Sequence, residues 1–182
     1  MLTSTRRIVA AIIAAVGLGI GSAVWAASAA SAAPAAPAAP PVCTAGNLGV
    51  WVNVGVGNAA AGTWYYALEF TNTSSHACRT FGYPGVSATN ANTKQLGDAA
   101  GRNPLYKAAW VTIPAGGTAH ALFAYAAAEV DTSSCKPANA SFLRVYPPND
   151  KGSDLTFFSF PVCTLAHHTY LFVSVVRPGT NI

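Results

Sequence analysis

Alternating apolar and polar residues predict two β-strands in the first half of the chain. In residues 48–54 every second side chain is Leu or Val, while Trp51 and Asn53 fall on the opposite face, because successive side chains of a strand point to opposite sides. Residues 64–71 alternate in the same way and predict a second strand. Its core-facing side chains are predicted to be Trp64, Tyr66, Leu68 and Phe70. The glycine-containing stretch 57–62 predicts the turn between the two strands.

Six further runs rich in β-branched and aromatic residues extend the β pattern toward the C-terminus. They cover residues 86–89, 111–113, 118–125, 142–146, 155–160 and 170–176. Proline and glycine separate them, and short strands with such turn signals between them indicate one antiparallel β-sandwich domain. Residues 119–128 contain enough alanine for a helix by propensity alone. Because they lack a helix-spaced polar face, they predict a buried strand that runs into a turn near Asp131.

The N-terminus has the pattern of a secretory signal peptide over residues 1–32. Arg6 and Arg7 precede an uncharged run from Ile8 to about Ala26, and two sites for signal peptidase follow, Ala27-Ser28-Ala29 and Ala30-Ser31-Ala32. This pattern predicts Sec-dependent export and a secreted, extracellular mature protein.

The same segment leaves two alternatives open. If the uncharged run stays uncut, it would anchor the domain in a membrane, since about 20 apolar residues suffice to span one. Its alanine and glycine content makes it a weak anchor. Arg6 and Arg7 also form part of a twin-arginine signal, which implies folding before export. Sec export is favoured, because a chain that relies on disulfides does not complete them in a reducing cytosol.

The predicted mature chain consists of an Ala/Pro-rich linker, residues 33–42, and one domain, residues 43–182. That domain contains all four cysteines, Cys43, Cys78, Cys135 and Cys163. In an oxidising compartment an even number of cysteines predicts two disulfides. Three pairings are possible, and pairing of nearest partners in sequence favours Cys43–Cys78 and Cys135–Cys163.

Several segments of the domain match a known family pattern. Two of them are fairly specific, Gly82-Tyr83-Pro84-Gly85-Val86-Ser87 and Leu143-Arg144-Val145-Tyr146-Pro147-Pro148-Asn149. Shorter matches are Ala61-Gly62, Phe70-Thr71-Asn72, Leu96-Gly97, Arg102, residues 114–119, residues 173–179 and the cysteines Cys78, Cys135 and Cys163. On these residues the chain resembles the actinobacterial secreted domain of unknown function 4232. The resemblance implies an immunoglobulin-like β-sandwich on an exported protein, and it implies no activity, because the family is defined by sequence.

The charge pattern excludes one class of partner. The chain has ten Lys plus Arg against six Asp plus Glu, and without Arg6 and Arg7 it keeps eight against six, a net charge of +2. The eight basic residues are scattered singly along the sequence. The sequence therefore has no basic stripe of the kind that binds a nucleic-acid backbone, and nucleic acid is not an expected partner.

The residue types used for catalysis and metal binding do not fall into functional patterns. Ser87 follows Gly85-Val86 but lacks the final glycine of the G-x-S-x-G nucleophile elbow. Of the six carboxylates only Glu69 lies in a predicted strand, whereas a glycosidase needs two of them facing one sugar. His167 and His168 are adjacent, so in a strand they would point to opposite faces. We therefore expect no enzyme activity, no metal and no cofactor.

Two groups of aromatic and basic residues are the candidate binding sites. Trp51 and Tyr65 fall on the outer faces of neighbouring predicted strands, where flat rings would stack on sugars or anchor a protein, unless another segment covers them. The second group lies in the predicted loop 98–110 and consists of Arg102, Tyr106, Lys107 and Trp110. Trp, Tyr and Arg are the residue types that anchor interfaces, although a loop that packs its own side chains has the same composition.

The sequence thus predicts a secreted, non-catalytic β-sandwich that acts outside the cell or in the cell envelope as a binding module for cell-wall polysaccharide. The alternative is an interaction or structural module that recognises another envelope protein, since sandwiches host many unrelated functions. A hydrolase is the remote alternative. Contact with a membrane is expected only if the signal segment stays uncleaved.

Overall fold

The computed structural model describes residues 38–127, 135–180 and 182, and these residues form eleven β-strands. A single 3₁₀ turn, Ala45–Asn47, precedes the first strand. The strands are β1 (Leu48–Ala60), β2 (Thr63–Asn72), β3 (Cys78–Phe81), β4 (Gly85–Thr89), β5 (Gly101–Arg102), β6 (Trp110–Ile113), β7 (Thr118–Ala126), β8 (Pro137–Tyr146), β9 (Asp154–Cys163), β10 (Leu171–Val173) and β11 (Arg177–Pro178). The predicted signal peptide, residues 33–37 of the predicted linker and the predicted turn near Asp131 lie outside the described residues. Within those residues, no helix has the length and apolar character needed to cross a membrane.

The strands pair into three sheets. The largest has the order β1-β2-β7-β10-β5, with β11 also paired to β7; a second has the order β4-β8-β9; and β3 pairs with β6. Every strand pairing is antiparallel except that of β10 with β5, which is parallel. The predicted all-β class with antiparallel sheets is therefore confirmed. The narrower immunoglobulin-like topology stays a prediction.

Facing aromatic side chains hold the six-stranded and the three-stranded sheets together. Phe123 of β7 is fully buried and meets Phe158 and Phe160 of β9 edge-on, with ring centroids 5.9 and 6.0 Å apart. Edge-to-face ring pairs add about 0.5–1.5 kcal/mol to the stabilisation from burial. The core therefore lies between β7 and β9, and the buried Leu68 and Phe70 of β2 extend it.

The alanine-rich segment is a strand, as predicted. β7 pairs with β2 over residues 118–126 and with β10 and β11 on its other side. Every second residue from Ala119 to Tyr125 belongs to the core cluster. A strand between two partners has its main chain hydrogen-bonded on both sides, and this tertiary context overrides the helix propensity of alanine.

The turn between β1 and β2 is shorter than predicted. β1 continues to Ala60, and the chain reverses at Ala61 and Gly62, whose φ angles are 48° and 79°. Two-residue turns with positive φ at both positions match the right-handed twist of paired strands. Gly57 belongs to the strand instead. A Cβ atom at Gly57 would lie 2.6 Å from the Tyr66 ring, so this glycine makes room for the ring.

The predicted core face of β2 is correct for Leu68 and Phe70 and wrong for Trp64. Leu68 and Phe70 are fully buried, whereas Trp64 is 42% exposed. Tyr66 is half-buried and stacks on Trp64 with ring centroids 6.4 Å apart. The β1 residues at this end of the hairpin, 58–60, are exposed as well. The alternation therefore continues beyond the part of the hairpin that the core covers.

The favoured Cys43–Cys78 disulfide is present and joins the segment before β1 to the start of β3. Its Cα atoms are 5.0 Å apart, and both residues are buried. The Arg79 N–H donates to the Pro41 carbonyl at 2.8 Å, and the Cys43 N–H donates to the Arg79 carbonyl at 2.9 Å. Val42 forms a parallel bridge with Arg79. The last two residues of the predicted linker are thus bound to the domain.

The other two cysteines are both buried and lie where β8 begins and β9 ends. Pro137, two residues after Cys135, is opposite Cys163 in the strand register. Burial raises the pKa of Tyr170, and the proximity of both cysteines adds to this shift. The second disulfide stays a prediction.

Candidate functional site

Trp51 and Tyr65 lie on the outer face of the six-stranded sheet, where the sequence alternation placed them. Trp51 is 46% exposed, and Tyr65 is half-buried. Trp51 is opposite Glu69, four residues from Tyr65 along β2, which is about 13 Å at ~3.3 Å per residue. The two residues therefore share a face without forming one contact site.

Buried polar side chains lie beside Trp51 on this face. Glu69 is opposite Trp51 on one side and opposite His120 on the other, and the two polar side chains are 1% and 2% exposed. Asn53 Nδ2 donates to Glu69 Oε1 at 2.7 Å, and His120 Nδ1 lies 2.8 Å from the Gly179 carbonyl oxygen. The Glu69 carboxylate is therefore buried and hydrogen-bonded rather than exposed to solvent.

A second surface combines arginines with aromatic rings. We call it the aromatic–arginine surface, and it consists of Arg79, Phe81, Tyr83, Arg102, Tyr106, Trp110 and Arg177. Each arginine places its guanidinium carbon over a ring centroid: Arg79 over Trp110 at 4.2 Å, Arg102 over Tyr83 at 5.3 Å, and Arg177 over Tyr106 at 3.9 Å. A cation–π contact contributes about 0.5–1 kcal/mol at an exposed site. These contacts hold long side chains in defined positions.

Strand alternation in β3 and β6 exposes one part of this surface. Thr80 and Val111 are buried, so their neighbours Arg79, Phe81 and Trp110 lie on the opposite side. Phe81 is opposite Trp110 in the register, with ring centroids 5.4 Å apart. The Trp110 ring is thus packed by two neighbours, Arg79 and Phe81, while the residue remains 53% exposed.

The surface opens beside Phe81 into a cleft of about 340 Å³. The cleft is lined by Phe81, Gly82, Tyr83, Arg102, Ala108 and Asn149. These residues come from the end of β3 and the connection to β4, from β5 with the loop after it, and from the β8–β9 connection. A volume of this size is at the lower end of the roughly 300–1,000 Å³ of small-molecule sites.

Hydrogen bonds and backbone conformation define the walls of the cleft. The Val176 N–H donates to the Gly82 carbonyl at 2.9 Å, and Asn149 Nδ2 donates to the Phe81 carbonyl at 3.0 Å. Gly82 and Asn149 have φ angles of 102° and 65°, in the region that glycine enters without strain and that asparagine tolerates better than most residues. The cleft is therefore a formed feature of the backbone.

The structure brings three of the four residues selected in segment 98–110 to one place, although Arg102 and Trp110 lie in β5 and β6 rather than in the predicted loop. Arg102 lines the cleft, Trp110 packs on Phe81, and Tyr106 packs on Arg177, whose neighbour Val176 bonds to the cleft wall. The other predicted pair lies apart. In the sheet register Trp51 and Arg177 are separated by three strand spacings, which is about 14 Å at ~4.8 Å per spacing.

Sequence reasoning did not select Phe81, Tyr83 and Asn149 as site residues. A signal was present for two of them, because Tyr83 and Asn149 lie in the two segments, 82–87 and 143–149, that carry most of the family resemblance. The structure brings these segments together through the pairing of β4 with β8, in which Gly85 is opposite Tyr146.

The aromatic–arginine surface is positively charged. Within the described residues, its three arginines pack on aromatic rings rather than on carboxylates; they are Arg79, Arg102 and Arg177. Lys107 is exposed in the loop that contains Tyr106. This surface and the loop beside it thus contain four of the eight basic side chains of the predicted mature chain.

The carboxylate nearest to the cleft residue Asn149 in the sequence already accepts hydrogen bonds from the backbone. Asp150 follows Asn149 and accepts hydrogen bonds from the N–H groups of Ala45 at 2.7 Å, Lys151 at 2.7 Å and Gly152 at 3.2 Å. These bonds, with that from Ala45 contributing most, lower the pKa of Asp150. No group of three His, Cys, Asp or Glu side chains in the described part of the chain is arranged to hold a metal ion.

A family model matches most of the domain. It is that of Domain of unknown function (DUF4232), and the match covers residues 43–170. The chain belongs to this family. No curated protein and no solved structure matches the chain. The DUF4232 match includes every residue that lines the cleft, but the family has no assigned activity, so the function has to be argued from the geometry of the site.

Proposed function

We propose that this DUF4232 protein is exported and acts as a non-catalytic binding module for polysaccharide of the cell envelope, with the aromatic–arginine surface as its contact face. The observation that carries the proposal is the environment of Trp110, which is 53% exposed beside the cleft and packed by Arg79 and Phe81. A ring that is already fixed loses little conformational freedom on binding. The exposed part of the Trp110 ring offers a sugar ring a stacking partner.

The lining of the cleft supports binding rather than hydrolysis. The six lining residues include one arginine, one asparagine and two aromatic residues, and they include no carboxylate, histidine or cysteine. Glycosidases need two carboxyl groups across the scissile bond. The buried position of Glu69 is in line with the same interpretation.

The Cys43–Cys78 disulfide supports a location outside the cytosol, because structural disulfides form and persist in oxidising compartments. Together with the predicted signal peptide, residues 1–32, it leads us to propose secretion. Attachment to the membrane through an uncleaved signal segment is the alternative, and in both cases the domain would meet the polymers of the envelope.

A protein partner is the second candidate function. Trp, Tyr and Arg are the residue types that contribute most to binding at protein interfaces, and the aromatic–arginine surface contains all three. Leu105, which is 59% exposed, adds an apolar side chain to the loop between Arg102 and Tyr106. On this alternative the protein would bind a defined envelope protein saturably and would not bind polysaccharide.

The test is co-sedimentation of the exported, oxidised protein with purified cell-wall polymer. We expect saturable pelleting, and Trp110→Ala should weaken it by about tenfold or more, as removal of a central aromatic anchor does. Trp51→Ala, on the outer sheet face, tests the other predicted contact. Phe157→Ala is the control, because Phe157 is 74% exposed and lies in the sheet of β4, β8 and β9.

Three outcomes decide between the proposals. A loss confined to Trp110→Ala supports the aromatic–arginine surface, and a loss confined to Trp51→Ala moves the site to the outer sheet face. If the protein does not pellet, and cross-linking on intact cells captures one envelope protein only when Trp110 is present, the partner is a protein and not polysaccharide. Equal unfolding midpoints of the variants exclude misfolding as the cause of a loss.

A further inference from the structure

Arg102 presents hydrogen-bond donors to the cleft from a fixed backbone. β5 pairs with β10, and the Asn103 N–H donates to the Val173 carbonyl at 2.8 Å. The Tyr83 ring lies 5.3 Å from the guanidinium carbon of Arg102. A ring contacts the face of a guanidinium and leaves the N–H groups at its edge available. Because the Arg102 side chain is exposed, these donors are accessible to a ligand.

Asn149 supplies a second polar group on another wall of the cleft. One amide hydrogen of its Nδ2 is used in the bond to the Phe81 carbonyl. A side-chain amide carries two N–H donors, so one remains for a ligand. The positive φ of Asn149 and its bond to Phe81 fix the position of this amide before a ligand arrives.

Basic residues outnumber acidic ones around the cleft. Arg102 is the charged residue of the lining, and Lys107, Arg79 and Arg177 lie around it. The neighbouring carboxylate, Asp150, is held by three backbone N–H groups of Ala45, Lys151 and Gly152. An anion that entered the cleft would therefore meet fixed donors and an excess of positive charge.

Building on the proposed function, we propose that the cleft binds an oxyanion carried by the polysaccharide, a sugar carboxylate or a phosphate group, so that the polymer recognised is acidic. Arg102 donates two parallel N–H groups to two oxygens of the anion, which is the geometry that a guanidinium forms with carboxylate and phosphate. The Asn149 amide donates to the same group, and Trp110 stacks on a neighbouring sugar. The selectivity for charge then resides in Arg102, and the general affinity for sugar resides in Trp110.

The experiment compares three polymers that share one backbone: dextran, carboxymethyl-dextran and dextran phosphate. Calorimetric titration of the exported, oxidised protein should show binding to at least one anionic polymer that is about tenfold or more tighter than binding to dextran, as for a charged hydrogen bond. The anionic polymer that binds more tightly identifies the oxyanion as carboxylate or phosphate. Binding should weaken as salt is added, because salt screens exposed charges.

Variants of Arg102 test the assignment to one residue. Arg102→Gln should remove the preference for the anionic polymer, and Arg102→Lys should retain part of it, because lysine keeps the charge but lacks the planar pair of donors. Arg144→Gln is the matched control. It removes the same charge from a residue whose Nη2 atom donates to the Thr93 carbonyl in a different part of the domain.

The inference is overturned if dextran and its anionic derivatives bind equally, or if Arg102→Gln and Arg144→Gln behave alike. These results leave the proposed function intact when Trp110→Ala still weakens pelleting with wall polymer. Conversely, the protein could fail to pellet with wall polymer and still bind an anionic dextran through Arg102. That result would refute the proposed binding of envelope polysaccharide and support the oxyanion site. The two proposals can therefore fail separately.

Discussion

Removal of the Cys43–Cys78 disulfide should destabilise the domain strongly while leaving its fold intact. The two cysteines are 35 residues apart. In the chain-entropy account, cross-linking a loop of that length restricts the unfolded state by about 3.8 kcal/mol at 25 °C. We therefore expect the double variant Cys43→Ala/Cys78→Ala to lose about 3–4 kcal/mol, a large part of the roughly 5–15 kcal/mol by which domains are stable.

Native contacts do not compensate for this loss. The hydrogen bonds of Arg79 with Pro41 and Cys43 hold the entry segment in the folded state, and they remain available to the variant. The disulfide acts mainly on the unfolded state, so the variant should keep its fold while its free energy of unfolding falls. Both cysteines are buried, and alanine fills most of each site without introducing a polar group.

The assay is urea denaturation followed by tryptophan fluorescence. With a slope of about 2 kcal/mol per M, the expected loss lowers the midpoint by about 2 M. Intact mass before and after reduction counts the disulfides in each protein. The double variant Cys135→Ala/Cys163→Ala, measured in parallel, assigns any second bridge to its pair. A loss below about 1 kcal/mol for Cys43→Ala/Cys78→Ala, at an unchanged slope, would refute the loop-entropy reasoning.

Two further perturbations test one buried carboxylate, Glu69, and one carboxylate near the surface, Asp150. Asn53→Ala removes the amide that donates to the buried Glu69 carboxylate at 2.7 Å, and we expect a loss of about 1–3 kcal/mol in urea denaturation; a change below about 0.5 kcal/mol would contradict this account. Asp150→Asn tests the lowered pKa of Asp150. Because this pKa is lowered, the contribution of Asp150 to stability is present above the ordinary pKa of 3.8 and is lost as the pH falls through the lowered pKa. Thermal unfolding should therefore show a deficit of the variant at neutral pH that shrinks as the pH is lowered below 3.8; a deficit that does not shrink would refute the assignment.

The strands could be predicted from the sequence because their signal is local. Alternation identified β2, and the missing polar face separated β7 from a helix. The β1–β2 turn could not be predicted, because Gly57 is required by the Tyr66 ring across the hairpin and not by a reversal of the chain. The exposure of Trp64 could not be predicted either. Periodicity gives the face of a side chain, while the extent of the opposite layer decides whether that face is covered.

The candidate site could be predicted only in part, for a topological reason. Residue type selected Arg102, Tyr106 and Trp110, and the structure brings them to one surface. The cleft itself also needs Gly82 and Asn149, whose proximity depends on the pairing of β4 with β8. Such long-range pairing is not encoded in any local pattern, so the cation–π partners of the arginines and the lining of the cleft required the fold.

The disulfide and the proposed binding surface meet at Arg79, and this links stability to recognition. Arg79 follows Cys78 directly, its main chain bonds to Pro41 and Cys43, and its guanidinium lies 4.2 Å from the Trp110 ring centroid. Because the main chain of Arg79 is tied to the entry segment on one side and to β6 on the other, its side chain is held over the ring. The bridge that restricts the unfolded chain therefore also supports the pre-organised ring. The double variant Cys43→Ala/Cys78→Ala tests this second role. If it binds wall polymer more weakly under conditions in which its unfolding midpoint shows that it is folded, the disulfide also supports the binding surface.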